Sequence, residues 1–105
     1  MENNHKELEE KVIRAIKQIY DPEIPVNIYE LGLIYDIQIT EQKEVVVLMT
    51  LTAPNCPEAE SLPMQVEYNI RHLDGVKDAK VLLTFDPPWD KDRLSDVAKI
   101  ELGMF

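Results

Sequence analysis

The sequence predicts an α/β (α+β) fold, a two-layer sandwich in which helices cover a mixed three-stranded sheet, with element order αββαβα. Three observations carry this. Apolar residues recur at helical spacing near the start, three later segments carry strand character, and the connections between those segments differ sharply in length. The first connection, over residues 41–44, suits an antiparallel hairpin. The second spans about 25 residues and contains a helical pattern, so strands two and three are expected to run parallel. Strand order is left open by this reasoning.

Over residues 7–20, Leu8, Val12, Ala15, Ile16 and Ile19 form one apolar stripe, and Glu9, Glu10, Lys11, Arg14 and Lys17 fill the other face. Pro22 disfavours a helical Asp21, so this first helix is expected to end near Tyr20. Residues 1–6 are expected to be disordered. The loop that follows has two prolines, then Asn27 as a cap for a single turn that Gly32 reverses. From Leu33 to Thr40 the residues alternate: Leu33, Tyr35, Ile37 and Ile39 on one face, Ile34, Asp36, Gln38 and Thr40 on the other.

Residues 45–52 are rich in β-branched side chains and apolar on both faces, which predicts a more buried strand. A segment with three prolines then leads to Ser61, a candidate helix cap, with Pro63 in the tolerated first turn. Leu62, Val66, Ile70 and Leu73 make the buried stripe of that helix. Asp74 and Gly75 stop it, and residues 76–85 form a third strand with Ala79, Val81, Leu83 and Phe85 on one face. After FDPPWD, Ser95 caps a terminal helix that Gly103 ends. The whole, residues 1–105, reads as a single domain.

Composition narrows the function. Twenty acidic residues against 11 basic ones give a formal charge of −9, which opposes approach to nucleic acid and to anionic membranes. The charged N-terminal stretch has no signal-peptide core and no run is long enough for a membrane span, so a cytoplasmic protein is expected. One cysteine makes no intrachain disulfide, which agrees with a reducing compartment. Phosphate-loop, dinucleotide, HExxH and CxxC motifs are all missing, so nucleotide chemistry and a closed zinc site have no support.

Cys56 is the one strong nucleophile and soft metal ligand, set between a strand end and a helix start where backbone amides favour a thiolate. It is the candidate functional thiol and metal ligand; the alternative is a small buried hydrophobe. Asp21 and Glu23 on a stiff loop suit a cation or hydrogen bonds from nearby amides; the alternative is that Asp21 caps a turn while Glu23 is solvated. Thr50 and Thr52 project just before the cysteine loop and, with Asn55, are candidates to support a thiolate or sulfide; the alternative is ordinary strand-end threonines and an asparagine that turns the chain. In FDPPWD, Pro87 and Pro88 stiffen a platform on which Trp89 either contacts a partner or covers a core edge. His5 sits in the terminus, and His72, near a helix end, is expected to meet exposed carbonyls.

Taken together, DPEIPVNIYELGLIYDI (residues 21–37), LTAPNCP (residues 51–57), DPPW (residues 86–89) and the terminal LS..AKIELG make the chain similar to the iron-sulfur cluster assembly domain family, which includes bacterial SufT-like proteins and the eukaryotic cytosolic iron-sulfur targeting factor. The resemblance covers nearly the whole chain from the first helix onward. It implies help in maturing iron-sulfur proteins, with iron, sulfur or a labile cluster handled through Cys56 and no cofactor held tightly. It carries the acidic motif onto Asp21 and Glu23, the threonine-to-cysteine motif onto Thr52 and Cys56, and the aromatic-proline motif onto Phe85, Pro87, Pro88 and Trp89. Phe85 stands where the family commonly has Trp, keeping a ring and losing an indole donor. The implied partners are the assembly machinery and apo-protein clients, with a homodimer compatible. A non-metal adaptor with a structural Cys56 is the alternative. An enzyme is not expected, since no base is identifiable beside the cysteine.

Overall fold

A computed structural model describes residues 5–21, 24–52 and 61–103 of the chain. The order is α1 (Lys6–Ile16), β1 (Ile34–Ile39), β2 (Glu44–Met49), α2 (Leu62–Arg71), β3 (Asp78–Leu83) and α3 (Asp96–Glu101), with a 3-10 turn at Lys91–Arg93 before α3. The strands lie in the order β1-β2-β3, with β1 antiparallel and β3 parallel to β2. The hairpin and the parallel crossover are therefore as the connection lengths predict, and β2 is the central strand.

Helix α1 begins at Lys6, inside the stretch expected to be disordered, with Glu7 and Glu9 favourably placed in its first turn. It ends at Ile16, four residues earlier than the periodicity suggests. The reason is tertiary: Ile19 and Tyr20 leave the helix to pair across the loop, the Ile28 amide donating to the Ile19 carbonyl at 2.9 Å and Tyr20 bridging Asn27. Leu8, Val12, Ile16 and Ile19 are buried as predicted.

On β2, Val45, Val47 and Met49 are fully buried beneath the helical layer, while Val46 and Leu48 on the other face are only partly covered. Helix α2 lays Leu62, Val66 and Ile70 into the same core. Ser61 has helical backbone angles already and makes no capping bond to the helix; its hydroxyl accepts from the Gln65 side chain instead, at 3.1 Å. At α3, by contrast, Ser95 is extended and its hydroxyl accepts the Ala98 amide at 3.1 Å, the capping predicted.

Strand β1 departs from simple alternation. Ile34 faces Met49 and Asp36 faces Leu48, so one strand carries an extra residue, Tyr35, at a bulge. Ile34 thereby joins Ile37 and Ile39 on the helix side, and Tyr35 is released from the row predicted for it. Strand β3 is shorter than predicted, ending at Leu83. Its inner row is buried at Ala79 but open at Leu83. No helix among the described residues is long and apolar enough to cross a membrane.

The start of β3 is tied to the end of α2 by Arg71, whose Nε donates to Asp78 Oδ1 at 3.0 Å and whose Nη2 donates to the Ala79 carbonyl at 2.8 Å. Asp78 Oδ1 also accepts the Ala79 amide, at 2.9 Å. That amide, first, and the Arg71 guanidinium, second, hold the Asp78 carboxyl below its ordinary range. A lowered carboxyl contributes stability above its unfolded value, about 3.9, and loses it as pH falls through the lower folded value. In an NMR titration the Asp78 carboxyl should therefore protonate at lower pH than an ordinary aspartate, with the Ala79 amide losing exchange protection in step, and Asp78→Asn should abolish that step.

Candidate functional site

The structure gathers two segments far apart in sequence, the end of β2 and the DPPW segment, on residues 31–35. Asn27 caps the turn before it: its Oδ1 accepts the Glu30 amide at 2.9 Å and its carbonyl accepts the Leu31 amide at 3.1 Å. Gly32 then reverses the chain at φ +82°, as expected from sequence. From this hub the Leu31 carbonyl accepts the Trp89 indole N–H at 2.7 Å, the Leu33 carbonyl accepts the Thr50 amide at 2.8 Å, and the Tyr35 hydroxyl donates to the Pro87 carbonyl at 2.7 Å.

The loop feeding the hub is folded back on itself. Asp21 is buried, its Oδ1 accepting the Ile24 amide at 3.1 Å and its own amide reaching the Val26 carbonyl at 3.4 Å. Thus Asp21 fixes a turn through its carboxylate, one of the two roles the sequence allows. Thr50 is fully buried past the end of β2, and its hydroxyl lies 3.5 Å from the Leu51 carbonyl. Thr52 is half-buried. Glu23, Asn55 and Cys56 lie outside the described residues, and no group of three or more His, Cys, Asp or Glu side chains that could hold a metal occurs among the described residues.

Trp89 is half-buried and packs against the core, so its contacts are those of a core-edge residue, with the indole N–H used internally. Pro87 and Pro88 are exposed. Beyond them the chain stays strapped to the hub: the Ser95 amide donates to the Glu30 carbonyl at 2.9 Å, Leu94 is buried, and the Arg93 guanidinium lies 4.6 Å from the centre of the Tyr35 ring. A cleft of about 660 Å³ opens between the strap and the sheet, lined among others by Tyr35, Leu48, Asp86, Asp92 and Arg93. Sequence reading passed over Tyr35 and Arg93. Tyr35 looked like one member of an alternating row, and only the bulge turns it toward Pro87. His72, as expected, meets a carbonyl, that of Tyr68 at 2.8 Å.

The match to known proteins follows this geometry. The model of the family described as iron-sulfur cluster assembly protein matches residues 9–83. The chain belongs to that family. It is 47% identical over 98% of both chains to an Fe-S protein maturation auxiliary factor of Porphyromonas gingivalis, and 35% identical to the Fe-S protein maturation auxiliary factor SufT of Staphylococcus aureus, over 82% of this chain and 98% of that one. The crystal structure of a domain of unknown function from Bacillus anthracis superposes with a TM-score of 0.86 at 34% identity, covering 95% of each chain. The family match thus spans the hub and Cys56, and the fold of this family member is the one its sequence predicts.

Two substitutions test the strap. A Cβ at residue 32 would fall 2.3 Å from the Arg93 carbonyl oxygen, and the backbone there has positive φ. Gly32→Ala should cost about 3 kcal/mol by clash and strain, read from urea unfolding. Trp89→Phe removes the donor to Leu31 and leaves a carbonyl unpaired, for a loss of about 2 kcal/mol in the same measurement.

Proposed function

We propose that this protein is an assembly factor for iron-sulfur proteins that acts without catalytic turnover, passing iron, sulfur or a labile cluster as cargo through Cys56. The observation that carries the reading is the family match over residues 9–83, which takes in the chain's one cysteine, together with relatives named as Fe-S protein maturation auxiliary factors. A cluster is ordinarily held by about four protein ligands, and this chain has one thiol to offer. The donor set therefore fits a shared and temporary hold, with the remaining ligands coming from the assembly machinery or from the apo-protein client.

Such a hand-over is ligand exchange. The Cys56 thiolate coordinates iron, a client thiolate replaces it after losing its proton, and Cys56 is released to take up a proton again, with no net oxidation. The hub offers a base for this: Thr50 is held to Leu33, which fixes the end of β2 that leads toward residue 53, and the strap is held to Leu31 and Tyr35. In this reading exposed Pro87 and Pro88 and the outer part of Trp89 meet partners.

The experiment is complementation of cells lacking the native protein. Cys56→Ser should fold with unchanged circular dichroism and melting temperature, yet leave the activity of cluster-dependent enzymes at the level of cells without the protein. Anaerobic addition of iron and sulfide should give absorption bands with wild type that the variant lacks. Full rescue by Cys56→Ser would overturn thiol handling and leave an adaptor with a structural cysteine.

A further inference from the structure

The cleft between the strap and the sheet is lined by charges that do not cancel one another. Arg93 is half-buried in its wall, and its backbone is fixed there: its amide donates to the Asp90 carbonyl at 3.1 Å, and its carbonyl lies against Gly32. The Arg93 Nε is shut off from solvent and has no hydrogen-bond acceptor among the described residues. The guanidinium makes no ion pair among them either, in a chain with 20 acidic residues, whereas Arg71 engages two carboxylates. The Tyr35 ring offsets part of the charge and supplies no strong acceptor. A cation that has lost water on one edge and found no anion gains more from a carboxylate than a fully hydrated one does.

Asp86 and Asp92 line the same cleft, both exposed and neither in an ion pair among the described residues. A ligand therefore meets one unpaired cation and two unpaired anions, beside apolar surface from Ile34, Leu48 and Pro87. Phosphate or a dicarboxylate would suit Arg93 and be repelled by both aspartates. A simple amine would suit the aspartates and be repelled by Arg93. A carboxylate with an ammonium beside it answers both signs.

We propose that this cleft binds an α-amino acid, with its carboxylate on the Arg93 guanidinium, its ammonium toward Asp86 and Asp92, and an apolar side chain over Leu48. The volume of about 660 Å³ leaves room for a large side chain beyond the charged head. Leu48 stands one residue before the end of β2, so the bound molecule lies at the end of the sheet where the hub is built. The site is separate from the thiol reading, and neither stands or falls with the other.

NMR titration of the isotopically labelled full chain with L-leucine tests this, against two analogues that each lack one charge: 4-methylpentanoate has no amine and 3-methylbutylamine no carboxylate. These arms need no variant. L-Leucine should shift the Tyr35, Leu48 and Arg93 amides to saturation with a millimolar dissociation constant, and each analogue should bind at least about tenfold more weakly. Arg93→Gln, which keeps the backbone at Gly32, should weaken L-leucine about tenfold, and the double variant Asp86→Asn, Asp92→Asn should weaken L-leucine while strengthening 4-methylpentanoate. No saturable shift with L-leucine up to about 20 mM, 4-methylpentanoate binding as tightly as L-leucine, or L-leucine binding unchanged by Arg93→Gln would overturn the proposal.

Discussion

The structure depends on how closely two backbones approach at Gly32. The Arg93 carbonyl sits where a side chain would begin on any other residue, and the positive φ that lets the chain reverse there is one that glycine adopts without strain. With that contact made, the strap from Pro87 to Ser95 can lie flat on residues 30–35, and the Trp89, Tyr35 and Ser95 hydrogen bonds come within reach. With a Cβ in the way, all three would have to lengthen together. One glycine therefore joins the C-terminal third of the chain to the loop that carries the acidic motif.

The bulge at Tyr35 is the second device that builds this region. A regular strand would have put Tyr35 in the row with Ile37 and Ile39, under the helices. The extra residue moves Ile34 into that row, so the core loses nothing, and turns a phenol toward the strap. The Tyr35 ring then carries the Arg93 guanidinium on its face while its hydroxyl holds Pro87. Packing and polar strapping are thus served by neighbouring residues in one strand.

The edge of β3 shows the same economy of local chemistry. Asp78 and Arg71 close its first half with their own side chains, a common way to keep an edge from joining others. Its second half is apolar and uncharged, with no strand beside it among the described residues.

Much of this protein is determined by sequence alone, and what is determined is local. Helix faces, the Asn27 turn, the Ser95 cap, the stops at Gly32, Gly75 and Gly103 and the parallel sense of β3 follow from interactions within a few residues or from connection length. Family membership could be read as well, because the motifs around Asp21, Cys56 and the DPPW segment stand in a recognisable spacing. Tertiary structure decided the rest. Strand order, the bulge, the early end of α1 at the Ile19–Ile28 pairing, and the inward use of the Trp89 indole rest on partners distant in sequence, 58 residues apart for Trp89 and Leu31 and 52 for Tyr35 and Pro87. No local periodicity encodes such partners, since each bond becomes available only after the sheet and the Gly32 contact have brought the two segments together.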